Sequence, residues 1–89
     1  MVFFFEIMFL VYALFSEKYQ KIYIGYTSDI EQRLLSHNEL GTKGYTLRYR
    51  PWRLIYTESF LLKSDAIKRE KQLKSAKGRE FIWNFIGRA

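Results

Sequence analysis

Residues 9–38 read FLVYALFSEKYQKIYIGYTSDIEQRLLSHN. Two runs rich in β-branched and aromatic residues, Phe9 to Phe15 and Tyr19 to Thr27, flank the polar Ser16, Glu17 and Lys18. Such side chains suit a pleated, half-buried surface, and the polar break between them predicts an antiparallel hairpin. A loop centred between Glu17 and Lys18 places Tyr12 directly across from Tyr23. Ser28 followed by Glu31 is an S-x-x-E pattern, in which each side chain satisfies a free amide at a helix start. The spacing beyond it predicts a first helix from Asp29 to Asn38.

Further along, Gly41, Gly44 and Pro51 mark a polar connector. Trp52 to Phe60 is rich in β-formers and supplies a third strand. Ser64 and Asp65 open a second helix, with the Asp65 carboxylate near the positive end of the helix dipole. Gly78 interrupts that helix, and Phe81, Ile82, Phe85 and Ile86 form the apolar stripe of a short third one. The order β-β-α-β-α-α predicts an α/β (α+β) fold, a three-stranded, mostly antiparallel sheet flanked by helices, in a single domain over residues 1–89.

The stretch from Met1 to Phe15 is apolar apart from Glu6. It is shorter than the ~20 residues of a spanning helix and has no cationic start or small-residue cleavage site, so stable membrane insertion is not expected. Met8 serves equally well as a start, which marks Met1 to Ile7 as an N-terminal extension or an extra buried edge.

Hydrophobic residues make up 48% of the chain and aromatic ones 19%, enough to build a core at this length and to exclude disorder. The net charge of +6 is uneven: residues 43–89 carry twelve Lys and Arg against four Asp and Glu, whereas residues 1–42 carry three against five. Such asymmetry favours a polyanionic partner, nucleic acid or an anionic membrane surface. With no cysteine, disulfides, thiolate nucleophiles and cysteine-based zinc sites are excluded, and a cytoplasmic location is expected.

Polar residues in core slots carry the chemistry. On the first helix Ile30, Arg33, Leu34 and His37 share one face, so Arg33 and His37 are expected to point toward the sheet. On the second, Ala66, Ile67, Glu70 and Leu73 do the same, which sets a carboxylate on an apolar stripe, costly unless a cation or metal meets it. Taken singly, Glu70 reads as the partner of Arg33 in a salt bridge and His37 as a satisfied core histidine. Together with two tyrosines on one sheet face, they combine a metal ligand, a phosphate-binding cation and proton-transfer groups.

In this combination the chain resembles the GIY-YIG nucleases, and in particular their small standalone bacterial members similar to the UvrC N-terminal endonuclease domain. Leu10, Val11 and Tyr12 stand at the first strand motif and Tyr23, Ile24 and Gly25 at the second. Arg33 stands at the helical Arg, His37 completes an R-x-x-x-H pairing, Glu70 falls at the acidic position and Asn84 at a terminal Asn. The likeness runs from Phe9 to Phe85 and departs at Leu10, where the first motif has Gly.

The resemblance implies a metal-dependent endonuclease that hydrolyses phosphodiester bonds in DNA, branched or single-stranded substrates included, with a place in repair or recombination. Glu70 would be the ligand of one Mg2+ or Mn2+, which keeps several waters and stabilises the leaving 3′ oxygen. Tyr12 would be the general base, brought down from a pKa near ~10 by nearby cations such as Arg33 and Lys21. Tyr23 would position water or phosphate, Gly25 would let backbone approach closely, and His37 would either bind phosphate or share in proton transfer. Lys21, Lys43, Arg48, Arg50 and Asn84 would bind substrate, and the Lys63 to Arg79 run would track the sugar-phosphate backbone. Two rival classes are a non-catalytic nucleic-acid-binding module of the same fold and a membrane-surface or protein-interaction module.

Overall fold

The computed structural model describes residues 8–41 and 44–87. Met1 to Ile7 and Lys43 therefore lie outside the described residues, and so do the expectations placed on them. Strands β1 (Phe9–Ser16) and β2 (Lys21–Thr27) form the expected hairpin, and β3 (Arg53–Phe60) pairs with the other side of β1, giving the antiparallel order β2-β1-β3. The central strand is buried from Val11 to Ser16 because both faces of the sheet are covered. Val11, Ala13 and Phe15 point one way, onto Ile22 and Ile24 and the helices α3 (Lys63–Lys74) and α4 (Ala76–Phe85), which contribute Ala66, Leu73 and Ile82. Tyr12 and Leu14 point the other way, onto Trp52, Tyr23 and the helix α1 (Ile30–Leu35), which contributes Ile30 and Leu34.

The strand register differs from the expected one by two residues. Tyr12 lies opposite Gly25, and Leu14 opposite Tyr23. The turn spans Glu17 to Gln20, with Gln20 in the left-handed region at φ 54° and its side-chain amide donating to the Glu17 carbonyl at 2.7 Å. Tyr19 thus belongs to the turn and not to β2. A shift of two preserves the face of every side chain, so Tyr12 and Tyr23 still share a surface, as diagonal neighbours.

Local polar chemistry also departs from the simple reading. Asp29, not Ser28, caps α1 by accepting from the Gln32 amide at 3.1 Å, and its own amide donates to Thr27 Oγ1 at 3.0 Å. After Leu35 the helix widens into π-type turns over Ser36–Leu40. Arg50 fastens this segment, donating from Nε to the His37 carbonyl at 2.6 Å and from one terminal nitrogen to the Ser36 and Gly41 carbonyls at 3.2 and 2.6 Å. Asn38 grips Trp52 in both directions, accepting from its amide at 2.6 Å and donating to its carbonyl at 2.8 Å. The connector holds a short helix, α2 (Tyr45–Arg48), too short to leave a periodic signal.

Gly78 does not interrupt a helix. The break falls at Ser75, whose extended backbone separates α3 from α4 and whose hydroxyl caps α4 at the Gly78 amide, 3.2 Å away. Gly78 serves close approach: a Cβ there would lie 2.3 Å from Leu73 Cα and 2.2 Å from the Gln72 carbonyl oxygen. The apolar stripe of α4 is shifted as well, since Ile82 is buried while Phe81 and Phe85 are exposed and lean edge-on against Tyr56. Gly78→Ala is expected to force the two helices apart and to lower stability by about 1–3 kcal/mol, read from urea unfolding midpoints at unchanged m-value.

Candidate active site

The outer edge of β2 borders a cleft of about 350 Å³ lined by Tyr12, Tyr23, Gly25, Arg33, Lys63 and Glu70, among others. Each comes from a different local arrangement. Tyr12 rises from the middle strand, and its ring lies across Gly25: a Cβ at that glycine would sit 2.6 Å from the Tyr12 hydroxyl oxygen and 2.9 Å from Cζ. Gly25 is thus what lets the phenol cross over β2 toward the sheet edge, a more specific role than general backbone approach. Arg33 reaches the cleft from α1, and Glu70 from α3 on the opposite side of the sheet.

His37 stands behind the cleft, 6% exposed, with Nε2 2.9 Å from the Tyr12 hydroxyl. Its ring packs 4.7 Å from that of Tyr23, and the Tyr12 and Tyr23 rings lie 6.3 Å apart. Arg33, by contrast, is exposed on the cleft surface, and its expected bridge to Glu70 is not formed. Glu70, with a side chain only 16% exposed, pairs with Lys74 one helical turn on, at 3.4 Å.

The electrostatics reverse one expectation. Burial, reinforced by the neighbouring Tyr23, pushes the Tyr12 phenol well above its ordinary range, and Arg33 only partly opposes this. Burial likewise depresses His37, with the positive charges of Arg33 and Arg50 adding to the effect. The resting pair is therefore a neutral phenol beside a neutral imidazole, in which Tyr12 donates to Nε2 when the ring proton sits on Nδ1. Cations do not by themselves make Tyr12 a phenolate.

The proposed substrate binders are dispersed. Lys21 and Asn84 line a separate groove of about 730 Å³ toward the hairpin turn and α4, and Lys21 Nζ lies 5.4 Å over the Tyr49 ring, not in the field of Tyr12. Arg48 also packs over Tyr49, at 6.0 Å. Arg50 is occupied by the three carbonyls of the wide turn. Lys63, in contrast, lines the cleft and was legible only as part of a basic run. Its signal was its position seven residues before Glu70, two turns up the same helix face.

Among the described residues no cluster of three or more His, Asp or Glu side chains is placed to hold a metal. A single carboxylate beside phenols and open to solvent suits a hard cation that retains most of its waters, as Mg2+ does, and does not suit a cage for Zn2+ or Ca2+.

A family model for the GIY-YIG catalytic domain matches residues 8–83. The chain belongs to the GIY-YIG family. This is an endonuclease superfamily whose members act on nucleic acid and generally use a divalent metal. The chain is similar to UPF0213 protein SSP2268 of Staphylococcus saprophyticus, 44% identical over 54 residues, which are 61% of this chain and 66% of that protein. It is also similar to UPF0213 protein SH2523 of Staphylococcus haemolyticus, 40% identical over 58 residues, which are 65% of this chain and 71% of that one. The first of these matches spans a little under two thirds of its relative. The solution structure of the UPF0213 protein BH0048 of Bacillus halodurans superposes with a TM-score of 0.52 at 28% identity, covering 86% of this chain and 83% of that one. No helix among the described residues is long and apolar enough to cross a membrane.

The His37 shift has a pH consequence. Because its folded pKa lies below the ordinary 6.5, the unfolded chain binds more protons as the medium acidifies. His37's neutral burial therefore stabilises the fold fully above about pH 6.5 and loses that contribution as pH falls toward the folded value, at a slope of at most about 1.4 kcal/mol per pH unit. Denaturant titrations between pH 7.5 and 5 should show a steeper loss for the wild type than for His37→Gln.

Proposed function

We propose that this chain is a metal-dependent endonuclease that hydrolyses phosphodiester bonds in DNA, acting in the cytoplasm and serving repair or recombination. The observation that carries the reading is the convergence of Tyr12, Tyr23, Arg33 and Glu70 on one cleft from four elements, with His37 bonded to Tyr12 from behind. Glu70 would hold one Mg2+ or Mn2+, which supplies charge stabilisation at the scissile phosphate and its leaving oxygen.

The remaining work falls to the chain's own groups. Arg33, exposed at the cleft mouth, meets a phosphate oxygen with its guanidinium. Tyr23 offers its hydroxyl to the attacking water or to the phosphate. Tyr12 takes a proton from that water while passing its own hydroxyl proton to His37 Nε2, so no free phenolate forms and the positive charge ends on the imidazole. The depressed His37 pKa favours this role over phosphate binding, because the ring is neutral at rest and screened from solvent by Tyr12. Lys63 adds positive charge beside the bound backbone.

Purified protein with Mn2+ or Mg2+ should nick or cut DNA, and chelation with EDTA should stop it. Glu70→Ala is expected to lower the rate by at least about 10³-fold, and Tyr12→Phe by about 10²- to 10⁴-fold, in gel assays on linear, branched and single-stranded substrates. Equal traces of cleavage in wild type and Glu70→Ala on every substrate would leave only a binding module.

A further inference from the structure

A second groove, of about 370 Å³, adjoins the cleft and is lined by Ile22, Tyr23, Ile24, Tyr45, Lys74 and Arg79. Tyr23 belongs to both cavities, and Lys74 is the residue paired with Glu70, so the groove begins where the cleft ends. Its volume falls within the range of small-molecule sites, and its lining mixes apolar walls, two aromatic rings and two cations, with no acid.

Tyr45 is the informative side chain. Its ring lies near-parallel to that of Tyr23, with centroids 6.4 Å apart, and is backed by Tyr49 at 4.8 Å and Trp52 at 5.9 Å. Trp52 is in turn buried and donates from its indole nitrogen to the Thr46 carbonyl at 2.8 Å, which ties α2 down. Yet Tyr45 is 43% exposed. Three rings hold it in place from within, and one surface of it stays open to the solvent. For packing alone, a smaller or fully buried residue would serve.

An exposed, immobilised aromatic ring next to cations matches a nucleobase with its attached phosphate. In a duplex the base faces are already stacked on one another, so the occupant must be unpaired. We propose that the Tyr45 groove is a subsite for one unpaired nucleotide beside the scissile phosphate, its base stacked on Tyr45 and its phosphate held by Lys74 and Arg79. The position of the cut rests on the nuclease reading. The substrate class follows from the groove: nucleic acid with a single-stranded nucleotide flanking the bond that is broken.

Binding is measured in metal-free buffer, where no cleavage occurs, using a single-stranded DNA oligonucleotide that carries 2-aminopurine and the same sequence as a blunt duplex. Wild type and Tyr45→Phe should bind the single strand with quenched fluorescence. Tyr45→Leu, which keeps apolar contact with Tyr49 and Trp52, should bind it about 10-fold more weakly and lose most of the quenching, while duplex affinity changes less than about 2-fold. Unchanged single-strand binding in Tyr45→Leu, or an equal loss on both substrates, would overturn the proposal. Should Tyr45→Leu fail to fold, Arg79→Gln decides: selective weakening on the single strand, with a shallower salt dependence, supports the subsite, and equal behaviour on the two substrates removes it. Because these readouts need no turnover, an inactive protein would sink the nuclease reading and leave the subsite standing, and the reverse result is equally distinguishable.

Discussion

A phenol buried to 1% exposure in the central strand needs a hydrogen-bond partner, and in this protein the hydroxyl of Tyr12 finds His37 Nε2. An unmet hydroxyl at such a place costs roughly 1–3 kcal/mol, so this contact constrains much around it. Gly25 must lack a side chain for the ring to cross β2. The chain after α1 must bring a histidine back over the sheet, which the wide turns of Ser36–Leu40 accomplish. Arg50 braces those turns, donating to the carbonyls of Ser36 and His37 and to that of Gly41 just beyond them. A cation from far along the sequence is therefore spent on holding the geometry of one imidazole.

The two neutral partners differ in what they can do. Tyr12 alone, pushed up by burial, is a poor base, and His37 alone is shielded from the cleft. Joined by a 2.9 Å hydrogen bond, they form a path that, on the proposed mechanism, would carry a proton from the cleft surface to a group that can hold it. The same burial that makes each group individually unreactive couples them, because a low-polarity setting strengthens the bond between them.

Much of this was legible in the sequence, for identifiable reasons. The strands and helices follow from hydrophobic period, which is a property of each segment alone. The i, i+3, i+4, i+7 arithmetic places His37 and Glu70 inward as found, but it also placed Arg33 toward the sheet, where the structure has it exposed. Register was not legible, since it depends on Gln20 adopting a left-handed conformation that no periodic signal marks. Ser28 and Asp29 are adjacent and chemically equivalent as caps, so the sequence could not choose between them. Gly78 looked like a breaker because the contact it permits is with the preceding helix, which sequence spacing does not reveal. Arg50 and Lys21 read as phosphate binders for the same reason: the carbonyls of the wide turn and the Tyr49 ring that receive them exist only once the chain is folded.

Glu70 is a costly residue with a weak partner. It faces an apolar stripe, and without a cation its charge would be penalised, yet its partner is a half-exposed lysine at 3.4 Å on the same helix. Pairs of that kind contribute only about 0.3–0.5 kcal/mol. On the proposed reading, so weak a pair would yield to coordination of the carboxylate by a divalent ion. A bidentate bridge to Arg33 would have been stronger, but it would have tied up the two groups to which the proposed mechanism gives the metal and the phosphate. Leaving Arg33 exposed at the mouth and Glu70 with the weaker partner keeps the two charges separate and available on opposite walls of the same cleft.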